Sequence, residues 1–170
     1  LTHVQLGFNY RLSDIHCAIG LAQLERIEEL LAARQAVADE YSRTLATVKA
    51  IRLPVKREDA ARSWFVYVIE IAGTTDNTLR DAVRDRLQQA GIATQAYFPA
   101  IHRQPYFSRY SPELPMELPN CERAADSCLA IPFSGRLTKK EIETVGKELE
   151  MAVVAETGST SEPSSATVSA

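Results

Sequence analysis

A stripe of apolar residues at helical spacing runs through residues 13–47 and constrains the fold more than any other feature of the chain. Ile15, Ala18, Ile19 and Ala22 begin it, and Leu24, Ile27, Leu31, Ala38, Tyr41 and Leu45 continue it. That period gathers the side chains on one face of a helix, while Glu25, Glu28, Glu29, Arg34 and Glu40 take the other. Ser13 offers a capping hydroxyl, and Asp14 places a negative charge in the first turn, where the helix dipole favours it. The spacing therefore predicts one long helix over 13–47, with Gly20 as the place for a bend, because glycine costs about 1 kcal/mol in a helix interior. On the residues alone it is a core helix with one buried stripe.

The rest of the chain alternates in type. Pro54 and the charged run Lys56-Arg57-Glu58-Asp59 mark a loop, and Trp64–Ile71 has the aromatic and β-branched content of a strand. A helix over 78–90 ends on Gly91, a residue suited to a left-handed cap, and Ile92–Tyr97 begins a second strand. Five prolines between Pro99 and Pro119 argue against regular structure in that stretch. Asn120 is placed to cap a short helix reaching Cys128, followed by a short strand at 129–131. Thr138-Lys139-Lys140-Glu141 fits a capping box at the head of a last helix, whose apolar residues are Ile142, Val145, Leu149 and Val153. The Ser- and Thr-rich tail, 156–170, is expected to be disordered. The pattern is α+β, with 1–155 as one domain.

Composition narrows the class. With 170 residues and 45% hydrophobic content, the chain can bury one core. Nineteen basic against 22 acidic residues leave a net charge of −3, which argues against nucleic-acid binding through a basic field. No apolar run approaches the ~20 residues that span a bilayer, and no secretory signal opens the chain. Cys17, Cys121 and Cys128 show no paired metal spacing, so they read as reduced thiols in a cytoplasmic protein with no metal site. Cys121 and Cys128 fall on one predicted helix and are expected to pack rather than pair.

The run Leu6-Gly7-Phe8-Asn9-Tyr10-Arg11 leads straight into the helix start at Ser13. Asn9 carries two amide donors and Arg11 a planar fork of N–H groups. The unpaired N–H groups of a helix's first turn point toward the same space, an arrangement suited to an anion. Taken alone, Asn9 reads better as a turn residue bonding its own backbone, and Arg11 as a surface arginine beside an acid. Three later segments change that balance: Arg62-Ser63-Trp64-Phe65-Val66-Tyr67-Val68, then Tyr97-Phe98-Pro99-Ala100-Ile101-His102-Arg103-Gln104-Pro105-Tyr106, then Leu118-Pro119-Asn120-Cys121-Glu122-Arg123-Ala124 through Ile131-Pro132. In order and spacing, the four segments resemble the DegT/StrS sugar aminotransferases, fold-type I enzymes dependent on pyridoxal 5'-phosphate. The resemblance covers roughly residues 5 to 153.

The resemblance implies a small C-terminal domain of a fold-type I enzyme. Residues 1–12 would be the cofactor-proximal loop, 13–47 a helix linking two domains, and 62–155 a short, mostly antiparallel sheet with helices packed on it. It implies that Asn9 and Arg11 are cofactor-binding residues, Asn9 reaching the cofactor phosphate of the neighbouring subunit and Arg11 an anion that is either that phosphate or a substrate carboxylate or diphosphate, hence a homodimer with sites shared across the interface. Tyr97, His102 and Arg103 fall in the loop that the family places near the nucleotide-sugar entrance, as donors to a diphosphate. His102 reads equally as a partly exposed histidine packing on prolines. Trp64 is a core anchor rather than a stacking platform.

The family's Schiff-base lysine lies upstream of the Asn9 loop. None of Lys49, Lys56, Lys139, Lys140 and Lys147 stands in the family's S-x-H-x-x-K setting, and the chain opens on Leu1. The chain is therefore expected to be the C-terminal part of a longer enzyme, without a catalytic residue of its own and inactive alone. The whole enzyme would move an amino group, from glutamate, onto a nucleotide-linked keto sugar for polysaccharide or glycoconjugate biosynthesis. Two alternatives stay open: a dehydratase of the same family with His at the lysine position, and a non-catalytic dimerising homologue.

Overall fold

The computed structural model describes residues 2, 7, 9, 11–74, 76–110 and 117–158. In chain order the elements are α1 (Asp14–Leu24), α2 (Ile27–Leu45), β1 (Ile51–Arg52), β2 (Tyr67–Ile71), α3 (Thr78–Gln89), β3 (Gln95–Ala96), a 3-10 turn (Ile101–Arg103), α4 (Pro105–Tyr110), α5 (Pro119–Ser127), β4 (Cys128–Ile131) and α6 (Lys139–Thr157). The four strands form one sheet in the order β1-β2-β4-β3, with every neighbouring pair antiparallel. The α+β class and the antiparallel sheet agree with the sequence.

Alternation along the strands sets the core. Tyr67, Ile69 and Ile71 of β2 and Leu129 and Ile131 of β4 are buried on the same side of the sheet. Against them pack Val37, Ala38, Tyr41 and Leu45 of α2, Val83 and Leu87 of α3, and Ile142, Leu149 and Val153 of α6. Full burial of each large aliphatic side chain contributes about 1.5–3 kcal/mol. Helix α6 packs on both α2 and α3, and Gly146 allows the α2 contact. A Cβ on Gly146 would stand 2.8 Å from Cγ2 of Thr44. Polar ties lie at the edge of this core. Tyr41 donates to the Pro132 carbonyl at 2.7 Å, and the Ser42 and Tyr67 hydroxyls share a hydrogen bond at 2.9 Å.

Trp64 is half-buried and packs on the core as expected, its ring stacked on Tyr67 at 5.4 Å. Its indole N–H donates to Gln35, and the Arg62 guanidinium lies 4.7 Å from its ring centroid. The strand expected over 64–71 is shorter, however, because β4 offers pairing partners only as far back as Tyr67.

Several other expectations change, among them the cap at Asn120, which lies inside α5 with Leu118 at the N-cap position, and the strand from Ile92, which pairs only at Gln95–Ala96. The helix over 13–47 is two helices, and the break falls at Glu25–Arg26 while Gly20 stays helical. Packing explains the division. Four residues of α2 are buried and none of α1 is, so the core orients α2 alone. The Arg26 guanidinium also turns to Glu29 in the first turn of α2 at 2.7 Å. Regular structure does enter the proline-rich stretch, as the 3-10 turn and as α4, with Pro105 at its first position where its missing N–H costs nothing. Cys121 and Cys128 do not share a helix, since α5 ends at Ser127 and Cys128 opens β4. Finally, α6 continues through Thr157 to a left-handed cap at Gly158, with Glu156 paired to Arg86. Order thus passes the expected boundary at 155, and the tail beyond 158 lies outside the described residues.

Candidate functional site

Two groups of residues carry the expected chemistry. The first lies ahead of α1. Asn9 and Arg11 are exposed and, like Leu12 and Ser13, lie outside regular structure. Ser13 occupies the N-cap position in extended conformation, but its side chain does not cap the helix. Its hydroxyl instead meets Nδ1 of His16 at 2.8 Å. The Ser13 side chain thus leaves the first-turn N–H groups of α1 uncapped, a few residues along the chain from Asn9 and Arg11. Donors of these kinds are the types that hold a phosphate at a helix N-terminus. All five lysines are exposed on α6 or on loops around β1, away from these donors in sequence and in element. Among the described residues, no three His, Cys, Asp or Glu side chains gather as a metal site.

The second group is built by the chain that leaves β3. Tyr97 is half-buried; its backbone N–H reaches the Cys128 carbonyl at 3.4 Å and its ring rests on Phe98 at 4.7 Å. Phe98 is exposed and has φ of 44°, a left-handed conformation that a bulky residue adopts only under strain. The 3-10 turn follows. It buries His102, only 8% exposed, and sets Nε2 of the ring 2.8 Å from Oε1 of Glu122. Arg103 remains about half exposed, with Nη2 2.9 Å from Oε2 of Glu122 and Nη1 3.1 Å from Asp126.

The acids come from α5, one turn apart, so a single helix face meets the turn. The His102 hydrogen bond is the main cause that holds the Glu122 carboxyl below the usual glutamate range, helped by the Leu118 N–H and by Arg103. The Asp126 hydrogen bond raises the Arg103 guanidinium further above neutrality. Sequence reasoning missed both acids. The spacing of Glu122 and Asp126 at i and i+4 was visible, but their target lies twenty residues upstream.

Arg103 also lines a cavity of about 420 Å³ together with Asn77, Arg80, Gln95, Gln104 and Asp126. Arg80, another residue that sequence reasoning passed over, is buried. Its Nε bonds Asp81 at 2.7 Å and its Nη1 bonds the Ala125 carbonyl at 2.9 Å, tying α3 to the end of α5. Of the expected substrate residues, Arg103 reaches this cavity wall; His102 is buried and Tyr97 is half-buried, and neither lines the cavity. Burial pushes the Cys128 thiol up, which disfavours its thiolate.

The family model for the DegT/DnrJ/EryC1/StrS aminotransferases matches residues 1–150. Solved structures agree with it. The chain is similar to the aminotransferase TlmJ from Streptoalloteichus hindustanus, with 28% identity and a TM-score of 0.71, over 84% of this chain and 36% of that one. It is similar to S. venezuelae DesV at 25% identity and TM-score 0.73, over 89% of this chain and 39% of that one. It is also similar to the sugar aminotransferase CalS13 from Micromonospora echinospora at 26% identity and TM-score 0.70, over 85% and 37%. The chain thus spans less than two fifths of the length of these relatives.

Proposed function

The chain belongs to the DegT/DnrJ/EryC1/StrS aminotransferase family, and from that membership we propose that it is the C-terminal part of a pyridoxal-phosphate-dependent sugar aminotransferase. The whole enzyme transfers an amino group, from glutamate, to a keto sugar carried on a nucleoside diphosphate, for polysaccharide or glycoconjugate synthesis. The lysine that holds the cofactor belongs to an upstream segment. Pyridoxal phosphate, when bound, supplies the electron sink for the reaction at the amino-bearing carbon.

This chain's own residues bind and orient. Asn9 and Arg11 grip the cofactor phosphate in the neighbouring subunit's site, joined by the first-turn N–H groups of α1. Asn9 donates without adding charge to a phosphate that the helix end and Arg11 already offset. Arg103 faces the diphosphate of the substrate from the cavity wall, with Tyr97 on the same loop. Ile15, Ile19 and Leu24 of α1, all strongly exposed, form part of a homodimer surface.

The observation that carries this reading is the placement of exposed Asn9 and Arg11 ahead of a helix end whose N-cap residue, Ser13, makes no side-chain cap. The test is a cofactor titration of this chain mixed with a separately made N-terminal portion of the enzyme. Asn9→Ala is expected to weaken binding about tenfold, the loss of one hydrogen bond to a charged group. Unchanged affinity would remove the phosphate assignment.

A further inference from the structure

We propose that Glu122 is a positioning residue, which fixes the 97–105 loop so that Arg103 meets the substrate diphosphate in a set orientation; the proposal rests on the function proposed for that loop. Three donors converge on this one carboxylate. Oε1 accepts from His102 Nε2 at 2.8 Å and from the Leu118 N–H at 3.1 Å, and Oε2 meets Arg103 Nη2 at 2.9 Å. His102 and Arg103 are adjacent residues of one tight turn, so a single acceptor group between them fixes how that turn is rotated about its axis. His102 is buried, and its ring has no water to fall back on if Glu122 withdraws. The carboxylate itself sits in the first turn of α5, where the helix dipole favours its charge.

The second clamp is Asp126, one turn further along the same helix, on Arg103 Nη1. A guanidinium held at both terminal nitrogens keeps its plane fixed at the cavity wall. The two carboxylates also offset its charge. Arg103 therefore contributes direction rather than a long-range attraction, and its ordering cost is met before a ligand arrives. This gives His102 a role that differs from ligand contact: it is the inner strut of the turn, with Glu122 as its anchor.

Two measurements test the proposal. The first is side-chain nitrogen NMR of the chain. The wild type is expected to show His102 protonated at Nε2 in one environment, and slow rotation of the Arg103 guanidinium. Glu122→Gln keeps the shape of the side chain but loses the charge, and is expected to average both signals. If both signals survive Glu122→Gln unchanged, the proposal is overturned. Should Glu122→Gln fail to fold, Asp126→Asn serves instead, with faster Arg103 rotation and an unmoved His102 signal expected. The second measurement uses the complete enzyme. Glu122→Gln is expected to raise KM for the nucleotide sugar about tenfold with kcat little changed, as loss of a charge-assisted contact predicts. In an Arg103→Ala background the same substitution should have almost no further effect on KM. A fall in kcat at unchanged KM, or full additivity with Arg103→Ala, contradicts positioning through Arg103. If the complete enzyme turns over no nucleotide sugar, the functional reading fails, and the NMR result alone decides the role of Glu122.

Discussion

The hydroxyl of Tyr41, in the middle of α2, donates to the carbonyl of Pro132 just past the end of β4, at 2.7 Å and across 91 residues of chain. It joins the first helix of the core to the central strand's exit. Tyr41→Phe keeps the ring and strands the carbonyl, so chemical denaturation is expected to show a loss of about 1–2 kcal/mol. Burial also pushes the Tyr41 and Tyr67 phenols up. A raised folded pKa means that the folded state holds its protons where the unfolded chain releases them. Stability is therefore full below the ordinary tyrosine range and falls as pH rises above about 10. Tyrosinate absorbance during an alkaline titration should lag for two tyrosines until the chain unfolds.

At the head of α6 the capping box is complete: the Thr138 hydroxyl accepts from the Glu141 N–H, and the Glu141 carboxylate accepts from the Thr138 N–H at 2.8 Å. Thr138→Ala is expected to cost about 1 kcal/mol. The Thr138 N–H holds the Glu141 carboxyl below its ordinary range. A depressed carboxyl stabilises the fold above its unfolded pKa, and that contribution disappears as pH falls through the folded one. Glu141→Gln should accordingly flatten the acid limb of the stability profile below about pH 4, read by denaturation at a series of pH values.

Phe98 tests the strain in the candidate substrate loop. Its φ of 44° is one that glycine adopts freely, and its ring is exposed. Phe98→Gly should therefore leave stability equal or raised by up to about 1 kcal/mol, unlike most exposed-loop substitutions to glycine. A marked loss would mean that the ring packing with Tyr97 outweighs the backbone strain. Thermal unfolding of the single variant decides between them.

A fourth test concerns α1. Ile15 is 73% and Ile19 57% exposed. If this face is a dimer surface, sedimentation should give twice the chain mass at micromolar concentration. Ile15→Glu with Ile19→Glu should shift the chain to monomer without loss of helix signal. A monomeric wild type would remove these residues from the dimer proposal.

What the sequence revealed and what it hid follow from the range of the forces involved. The capping box of α6, the Gly91 turn with φ of 79° and the β-branched content of β2 are local, and each was legible from a few neighbouring residues. The break at Glu25–Arg26 was not. No breaker residue marks it, and it exists because the core holds α2 and leaves α1 unburied. The same holds for the site. Asn9, Arg11 and Arg103 stood out by residue type and motif, but the acids that hold Arg103 and His102 come from another helix and become partners only through the fold. The burial of His102 could not be read from its neighbours in sequence, because its partner, Glu122, stands on α5.

The strand order has a consequence for the making of this protein. β4 lies between β2 and β3, although both precede it in the chain. During synthesis β3 has no partner in the sheet, and β2 has only the two-residue β1, until residues 128–131 emerge. A chain stopped before that point carries α2 and α3 with their apolar faces uncovered, and waits in an aggregation-prone form. The late insertion of β4 makes pairing distant in sequence, which slows folding relative to a helical bundle of the same size. The last third of the sequence thus acts as the keystone, and a nascent chain depends on its arrival before any of the earlier strands is secure.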